Sequence, residues 1–455
     1  MKISFLGGTS TVTGSKHLLE VGNKKILLDC GLFQGLKELR LLNRAPFPVS
    51  PSSIDAVIIS HGHLDHVGYL PVLVKNGFRG YIFCTEATAE IMKIILQDSA
   101  RIQMEEAERA RREGYSRHSD PKPLYTTDDV EDVFPLVRVI AFNETIELTK
   151  SISFRLTPAG HILGASVITL EIEGKKIVFT GDLGKYNDLL LPPPEPVSEA
   201  DVLLCESTYG HTLHLTQYEE IEKRLIKHIV YAWENKSLQL IPGFAVERAQ
   251  VLMYLISKLK HSGRIPPIAL YLDSPMASAV SDVFGRFSEL LKIDGLELYR
   301  ALDSYDFVES LEESNKIVHS SQPRVVIAGG GMLAGGRALN YLFEHLENPK
   351  SILLLTGYQA EGTRGRAILN GMDELKIFGR YLKIRMRTDH IDGLSSHADR
   401  GDILRWIEHF RAYPKLIFLV HGEAHSADSL RLKLKDTFRN TEVLIPKIGD
   451  SFELF

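Results

Sequence analysis

Cysteine is scarce in this 455-residue chain, with only Cys30, Cys84 and Cys205. The three are far apart, form no Cys-x-x-Cys pair, and each ends an apolar run. That pattern argues against a disulfide framework or a cysteine zinc site and predicts buried, reduced thiols in a cytosolic protein. Long apolar runs are also missing: none approaches the ~18 residues of a membrane span. The chain opens on a strand, not on a charged-then-apolar leader. A soluble, cytoplasmic protein with no membrane partner is the expectation. Charge of one sign is not in excess either, Lys+Arg 53 standing against Asp+Glu 58 for a formal net charge of -5. Any polyanion must therefore be met by a local basic cleft, not by a global field. There is no internal repeat and no low-complexity tract. What is left, 44% hydrophobic and 24% charged, is the composition of an ordinary globular protein long enough for two or three domains.

One segment departs from that plain background: His61-Gly62-His63-Leu64-Asp65-His66, directly after Ala56-Val57-Ile58-Ile59. A strand ending in a loop lets His61 and His63 turn their imidazoles toward one point. Asp65 and His66 are displaced enough to reach a neighbouring point, so the spacing predicts two adjacent metal sites. Histidine nitrogen with carboxylate oxygen, and no cysteine nearby, favours zinc, with manganese or iron as alternatives, at a catalytic site that keeps an open position. A surface loop carrying three histidines by chance is the competing reading. The location at a strand end, where ligands are usually displayed, counts against it.

Strand-end ligands recur downstream: Asp29 after Ile26-Leu27-Leu28, His161 after Pro158-Ala159-Gly160, Asp182 after Phe179-Thr180-Gly181, and His421 after Leu416–Val420. Gly160 and Gly181 let the backbone turn sharply and carry the ligand into a cleft. Taken singly, such residues are more often turn or capping groups. Their recurrence points to one shared site with Asp182 as a bridging carboxylate.

Around these ligands the chain reads as α/β. Hairpin strands open it at residues 3–6, 17–21 and 25–29. Residues 67–75 have helical spacing, Tyr81–Cys84 is a strand, and 87–112 is a long helix whose Arg109-Ala110-Arg111-Arg112 run is a solvated face. The polar stretch 114–123 and a short helix from Thr127 look like an insertion between strands. Strands return over 152–180. Past Cys205-Glu206, strands and helices alternate in the βαβ rhythm of a parallel sheet. From residue 384 the first pattern resumes. The expected domains are 1–207, an inserted 208–383, and 384–455.

The His-x-His-x-Asp-His segment with Asp29, His161, Asp182 and His421 resembles the metallo-β-lactamase superfamily. Glu206-Ser207-Thr208-Tyr209-Gly210, Asp273-Ser274-Pro275-Met276-Ala277, Gly331-Met332-Leu333 with Gly335-Gly336-Arg337, Gly357-Tyr358-Gln359-Ala360-Glu361-Gly362-Thr363 and Ser395-Ser396-His397-Ala398-Asp399 resemble its β-CASP nuclease group. Within that group the likeness is to the RNA-processing arm, the nuclease subunit of the cleavage and polyadenylation specificity factor and its compact prokaryotic relatives. It covers nearly the whole chain. The resemblance implies a metallo-β-lactamase αββα sandwich with an inserted α/β β-CASP domain having a mainly parallel sheet. It implies two Zn2+ per chain, with Mn2+ or Fe2+ as alternatives. His61, His63 and His161 would hold one ion, Asp65, His66 and His421 the other, and Asp182 would bridge them. Asp29 would orient the site from behind the ligands, and the catalytic set would be Asp65, Asp182, Glu206 and His397. The last two form an acid pair beside the leaving group, although His397 also reads as a helix-start residue capped by Ser395 or Ser396. One departure is visible: His211-Thr212-Leu213-His214 stands where many relatives carry an acidic or amide residue and then arginine. That unsettles any substrate contact the arginine would make.

The implied activity is hydrolysis of single-stranded RNA, as an endonuclease, by a metal-activated hydroxide that leaves 5′-phosphate and 3′-hydroxyl ends. The inserted domain is expected to close over the metal cleft. A non-catalytic RNA-binding or assembly subunit of the same fold is an alternative, although degenerate relatives lose ligands and this chain has lost none. A DNA or small-ester hydrolase on the same metal core is another, and a homodimer is compatible with the sequence. For phosphate contacts the candidates are Gly330 and Gly331 beside Arg337, ahead of a helix expected near Leu333, together with Arg248, Thr363 and Arg364 near helix starts. A plain flexible turn or a surface salt bridge competes at each. The run from Gly7-Gly8 to Gly14 is no nucleotide loop, because a strand follows it where a phosphate-binding helix is required.

Overall fold

Two compact units divide the chain, residues 1–213 with 397–455, and residues 214–396. The computed structural model describes residues 1–113, 120–357, 359 and 362–455. Positions 114–119 of the expected insertion, and Tyr358, Ala360 and Glu361 of the quoted glycine motif, lie outside the described residues. Both expected junctions move. The first slides from 207 to 213. The second slides from 383 to 396 because Arg387–Ile391 pairs in parallel with Ile352–Thr356 and completes the inserted sheet. Arg387-Thr388-Asp389-His390-Ile391 is mostly polar and carries no apolar strand pattern, so the pairing alone assigns it to this sheet.

In the first unit, one seven-stranded sheet runs in the order Ser451–Glu453, Lys2–Gly7, Lys16–Val21, Lys24–Leu28, Ala56–Ile58, Tyr81–Cys84, Val137–Val139. A second runs Glu442–Leu444, Leu416–Val420, Val202–Glu206, Lys175–Phe179, Ser166–Ile172, Ile152–Pro158, Thr145–Thr149. Strand alternation sorts the side chains into layers. Leu19, Ile26, Leu28 and Ile58 join Phe154, Ile168, Phe179 and Phe418 in a core shared by both sheets. Their neighbours Leu18, Leu27 and Val57 face the other way, onto a core with Leu70, Leu73, Met92 and Leu96 from the helices Leu70–Lys75 and Glu86–Glu113. The helix Ala424–Thr437 packs on Leu416–Val420 and Glu442–Leu444. The layers are therefore helix, sheet, sheet, helix, as expected. Cys30, Cys84 and Cys205 are buried free thiols, also as expected.

His17, which the strand pattern does not single out, lies fully buried between the edges of Phe5 and Phe179, with ring centroids 5.4 and 5.2 Å away. Neither ring nitrogen has a hydrogen-bond partner among the described residues. Burial, reinforced by His66, His421 and Lys16, lowers its pKa to about 3. An unfolded histidine titrates near ~6.5. Below that value the unfolded chain takes up a proton that the native chain refuses, so stability falls as pH drops from there toward the folded pKa. We expect His17→Leu to raise stability by about 1–2 kcal/mol at pH 8, since two unpaired polar atoms disappear. The gain should be larger at pH 5. Urea titrations at the two pH values check this, and an equal or absent gain would count against the burial argument.

The second unit carries a six-stranded sheet in the order Asp306–Phe307, Ala269–Asp273, Arg324–Gly329, Leu238–Gly243, Ile352–Thr356, Arg387–Ile391, parallel at every pairing. Helices such as Tyr218–Glu234, Arg248–His261 and Ala338–His345 connect the strands. The last of these begins at Ala338 and not near Leu333. Leu333 is buried in the loop with φ +56°, a backbone state that cannot propagate a right-handed helix.

Candidate metal centre

The first unit assembles its site from the ends of its strands. Beyond Ala56–Ile58 the chain delivers Ser60 and His61, and His63 caps the short helix Leu64–Val67 that carries Asp65 and His66. His161 and Asp182 follow the strands Ile152–Pro158 and Lys175–Phe179, each through a glycine in the left-handed region, Gly160 at φ +68° and Gly181 at φ +53°. A Cβ on Gly160 would lie 2.4 Å from the Pro192 carbonyl oxygen, and one on Gly181 would lie 2.5 Å from Ser60 Cβ. These are steric reasons for glycine beside each ligand. His421 leaves Leu416–Val420 at φ +46° and donates its N–H to the Gly8 carbonyl.

The side chains converge in two adjoining sets. In one, His63 Nδ1 lies 3.0 Å from His61 Nε2 and 3.3 Å from His161 Nε2. Both Nε2 atoms lie 3.5 Å from Asp182 Oδ2. In the other, Asp65 Oδ2 lies 3.3 Å from His421 Nε2 and 4.0 Å from His66 Nε2. The second oxygen of Asp182, Oδ1, is 3.5 Å from His66 Nε2 and 3.3 Å from His421 Nδ1. Asp182 thus offers one oxygen to each set. Its Oδ1 and His66 Nε2 are buried without a hydrogen-bond partner, a costly arrangement for protein atoms alone. Imidazole nitrogens and carboxylate oxygens at this density fit divalent cations.

Asp29 sits behind the ligands, accepting from Ser60 N–H at 2.7 Å, Ser60 Oγ at 2.9 Å and His66 Nδ1 at 2.6 Å. That bond holds His66 with Nε2 turned toward the site, the usual role of a carboxylate behind a ligating imidazole. Ser60 and Thr208 were not anticipated. Thr208 Oγ1 lies 3.1 Å from His421 Nδ1. Their signal was adjacency, Ser60 preceding His61 and Thr208 standing inside the Glu206–Gly210 motif.

Electrostatics follow the same division. Burial, helped by neighbouring imidazoles, pushes His61 and His161 well below the usual histidine range and His63 to about 4. The three are neutral, with lone pairs to give. Burial also disfavours charge on Asp182, but His421, His66, His61 and His397 outweigh it and hold the carboxyl well below its usual range. For His66, burial is outweighed by Asp182 and Asp29, which raise it.

Beside this cluster stands a third pair. Glu206, fully buried at the end of Val202–Glu206, accepts the Leu183 N–H at 2.6 Å and meets His397 Nδ1 at 3.2 Å. His397 Nδ1 is also 3.9 Å from Asp182 Oδ2. A bridge between Gly184 and His397 fixes the backbone there. Burial opposes a charged His397, yet Glu206 and Asp182 prevail and its pKa is raised. The helix-start reading of His397 is corrected, because the helix begins at Arg400 and its cap is Asp399.

The residues expected to contact phosphate in the second unit have partners within the fold. Arg248 is buried and donates to the Thr356 carbonyl, its guanidinium against Gly357. Arg337 pairs with Asp273 and caps the carbonyls of Val308 and Glu309. Arg364 donates to Lys376 and Leu333 carbonyls, and the Thr363 hydroxyl caps the helix Arg364–Leu369. Gly330 and Gly331 pack against Gly335 and Phe244, without a helix opening behind them.

Comparison with known proteins agrees with the geometry. The description "Metallo-beta-lactamase superfamily" matches residues 14–233, "Beta-Casp domain" matches 249–368, and "Zn-dependent metallo-hydrolase RNA specificity domain" matches 381–446. The chain is 35% identical to Ribonuclease TTHA0252 of Thermus thermophilus over 99% of both chains. It is 30% identical to an RNase J-like protein of Methanocaldococcus jannaschii over 96% of each. It is also 30% identical to Transcription termination factor FttA of that organism, over 96% of this chain and 69% of the relative. A crystal structure of a protein of unknown function from Enterococcus faecalis V583 superposes with a TM-score of 0.57 at 15% identity, covering 99% of each chain, a likeness of fold.

Proposed function

Since the chain belongs to the metallo-β-lactamase superfamily, and carries its Beta-Casp domain, we propose that it is a metal-dependent endoribonuclease. In this reading it hydrolyses phosphodiester bonds of single-stranded RNA and leaves 5′-phosphate and 3′-hydroxyl ends. The observation that carries the reading is the split carboxylate of Asp182, one oxygen toward each ligand set, next to the Glu206–His397 pair. His61, His63 and His161 would hold one divalent ion and Asp65, His66 and His421 a second, with one oxygen of Asp182 facing each set; zinc is the ion that this donor set would favour. When bound, two such ions supply Lewis acidity that lowers the pKa of a water and offsets charge at the phosphate. The protein's own part is positional and acid–base. Asp29 holds His66 in its ligating tautomer. Glu206 takes the Nδ1 proton of His397 as a hydrogen bond and keeps the ring charged, so that its other nitrogen has a proton to give to the departing ribose oxygen.

The relatives named ribonuclease, RNase J-like protein and transcription termination factor support RNA over a small ester. Labelled single-stranded RNA incubated with zinc- or manganese-loaded protein is expected to be cut internally, with cutting abolished by a chelator. Intact RNA recovered from protein shown to hold its metals would overturn the assignment in favour of a binding subunit.

A further inference from the structure

The second unit carries a surface that its sheet does not explain. Glu374–Ile377 and Arg380–Lys383 form an isolated two-stranded antiparallel hairpin. Its inner face is ordinary: Leu375 and Ile377 are buried, with Leu382 packed against the same core. Its outer face is not. Phe378 at the tip is 58% exposed and Tyr381 is 65% exposed, where a soluble hairpin would show polar groups. The tip has φ +46° at Phe378 and +84° at Gly379, the pair of positive angles of a type I′ turn. Asparagine or glycine suits the first of those positions. A phenylalanine there is held in a left-handed state that bulky side chains avoid, and more than half of it stays exposed. A strained, exposed ring is a reason to look for a ligand.

Cations interleave with the rings. Lys376 is the cross-strand partner of Tyr381, with Nζ 5.5 Å from the ring centroid. The Arg380 guanidinium lies 5.7 Å from the Phe343 ring, which is 5.6 Å from that of Phe378. Residues 372–387 hold five cations against two anions in a chain whose net charge is -5. The local excess of cations, in a chain of net charge -5, favours a polyanion over a second copy of this chain as the occupant. Flat π faces alternating with cations suit a polyanion whose bases are unstacked. The Arg364 side chain, bonded to the Lys376 carbonyl, ties the hairpin to the helix Arg364–Leu369.

We propose that this hairpin is a stacking platform for single-stranded RNA, Phe378 and Tyr381 receiving bases and Lys376 and Arg380 the adjoining phosphates. The idea rests on the RNA reading above and extends it to a site on the second unit. The test uses the full chain. Phe378→Asn supplies the residue the turn prefers, so its folding is safeguarded; Tyr381→Thr keeps a strand former. Binding of a labelled oligouridylate of roughly 30 nucleotides, measured by anisotropy in chelator, should weaken about tenfold or more in the double variant, from lost stacking. Lys376→Ala with Arg380→Ala should flatten the salt dependence by about 1.4 in log–log slope. Turnover of bis-p-nitrophenyl phosphate, too small to span the hairpin, should be unchanged in every variant. Unaltered RNA affinity in the double variant overturns the proposal. So does a change in sedimentation from dimer to monomer, which would assign the face to a second copy. Wild-type protein that binds RNA through the hairpin but never cuts it would sink the nuclease reading and leave this one standing.

Discussion

Asp182→Ala is expected to lose bound metal and phosphodiester cleavage together. The two oxygens of Asp182 face different ligand sets, Oδ2 toward His61 and His161 and Oδ1 toward His66 and His421. Removing it deprives both positions of an anionic ligand at once and leaves a crowd of buried imidazoles without the charge that organises them. Elemental analysis should find at most one ion where the proposed site would take two, and the rate should fall by about 10³-fold or more, since the loss of metal assistance is worth several kcal/mol. Asp182→Asn keeps an acceptor oxygen and should lie between the two. Far-ultraviolet circular dichroism controls for folding. A well-folded alanine variant with full metal content would mean that the carboxylate does not bridge.

The second large effect separates chemistry from metal binding. His397→Ala should retain both ions and yet cut RNA about 10² to 10⁴-fold more slowly, the usual contribution of a general acid. Its Nδ1 is 3.2 Å from Glu206, which is fully buried. That partner, with Asp182, raises the imidazole pKa against the pull of burial. Because the folded pKa is raised, the proton is present at neutral pH, and the active form disappears as pH climbs through the raised value. The wild-type rate should therefore show an alkaline limb that the variant lacks. A leaving group that needs no proton gives a sharper check: bis-p-nitrophenyl phosphate should be hydrolysed by the variant at nearly the wild-type rate. Equal losses on both substrates would make His397 a structural residue.

Much of the candidate site could be read along the chain because its side chains cluster where strands end, and a strand end is a local event. His61, His63, Asp65 and His66 lie within six residues, and the turns that aim His161 and Asp182 are marked by the neighbouring Gly160 and Gly181. Apolar alternation likewise announced strands of the first unit and the parallel rhythm of the second, while the two-sheet sandwich followed from the family resemblance. The arginines show the opposite case. Arg248, Arg337 and Arg364 have the sequence setting of phosphate ligands, near loops and helix starts, and the partners they meet in the fold include carbonyls and a carboxylate between 12 and 108 positions away. Nothing local could reveal them.

Residue type and spacing by themselves determined which side chains could hold metal, where strands stop, and that an α/β unit interrupts the first domain. Only the tertiary structure decided that Arg387–Ile391 belongs to the inserted sheet, that Asp29 steers His66, that His17 is buried without partners, and that Phe378 is displayed at a hairpin tip. The physical reason is range. Period and turn chemistry act over a few residues, whereas sheet membership, desolvation and ion pairing depend on groups that folding brings together from distant parts of the chain.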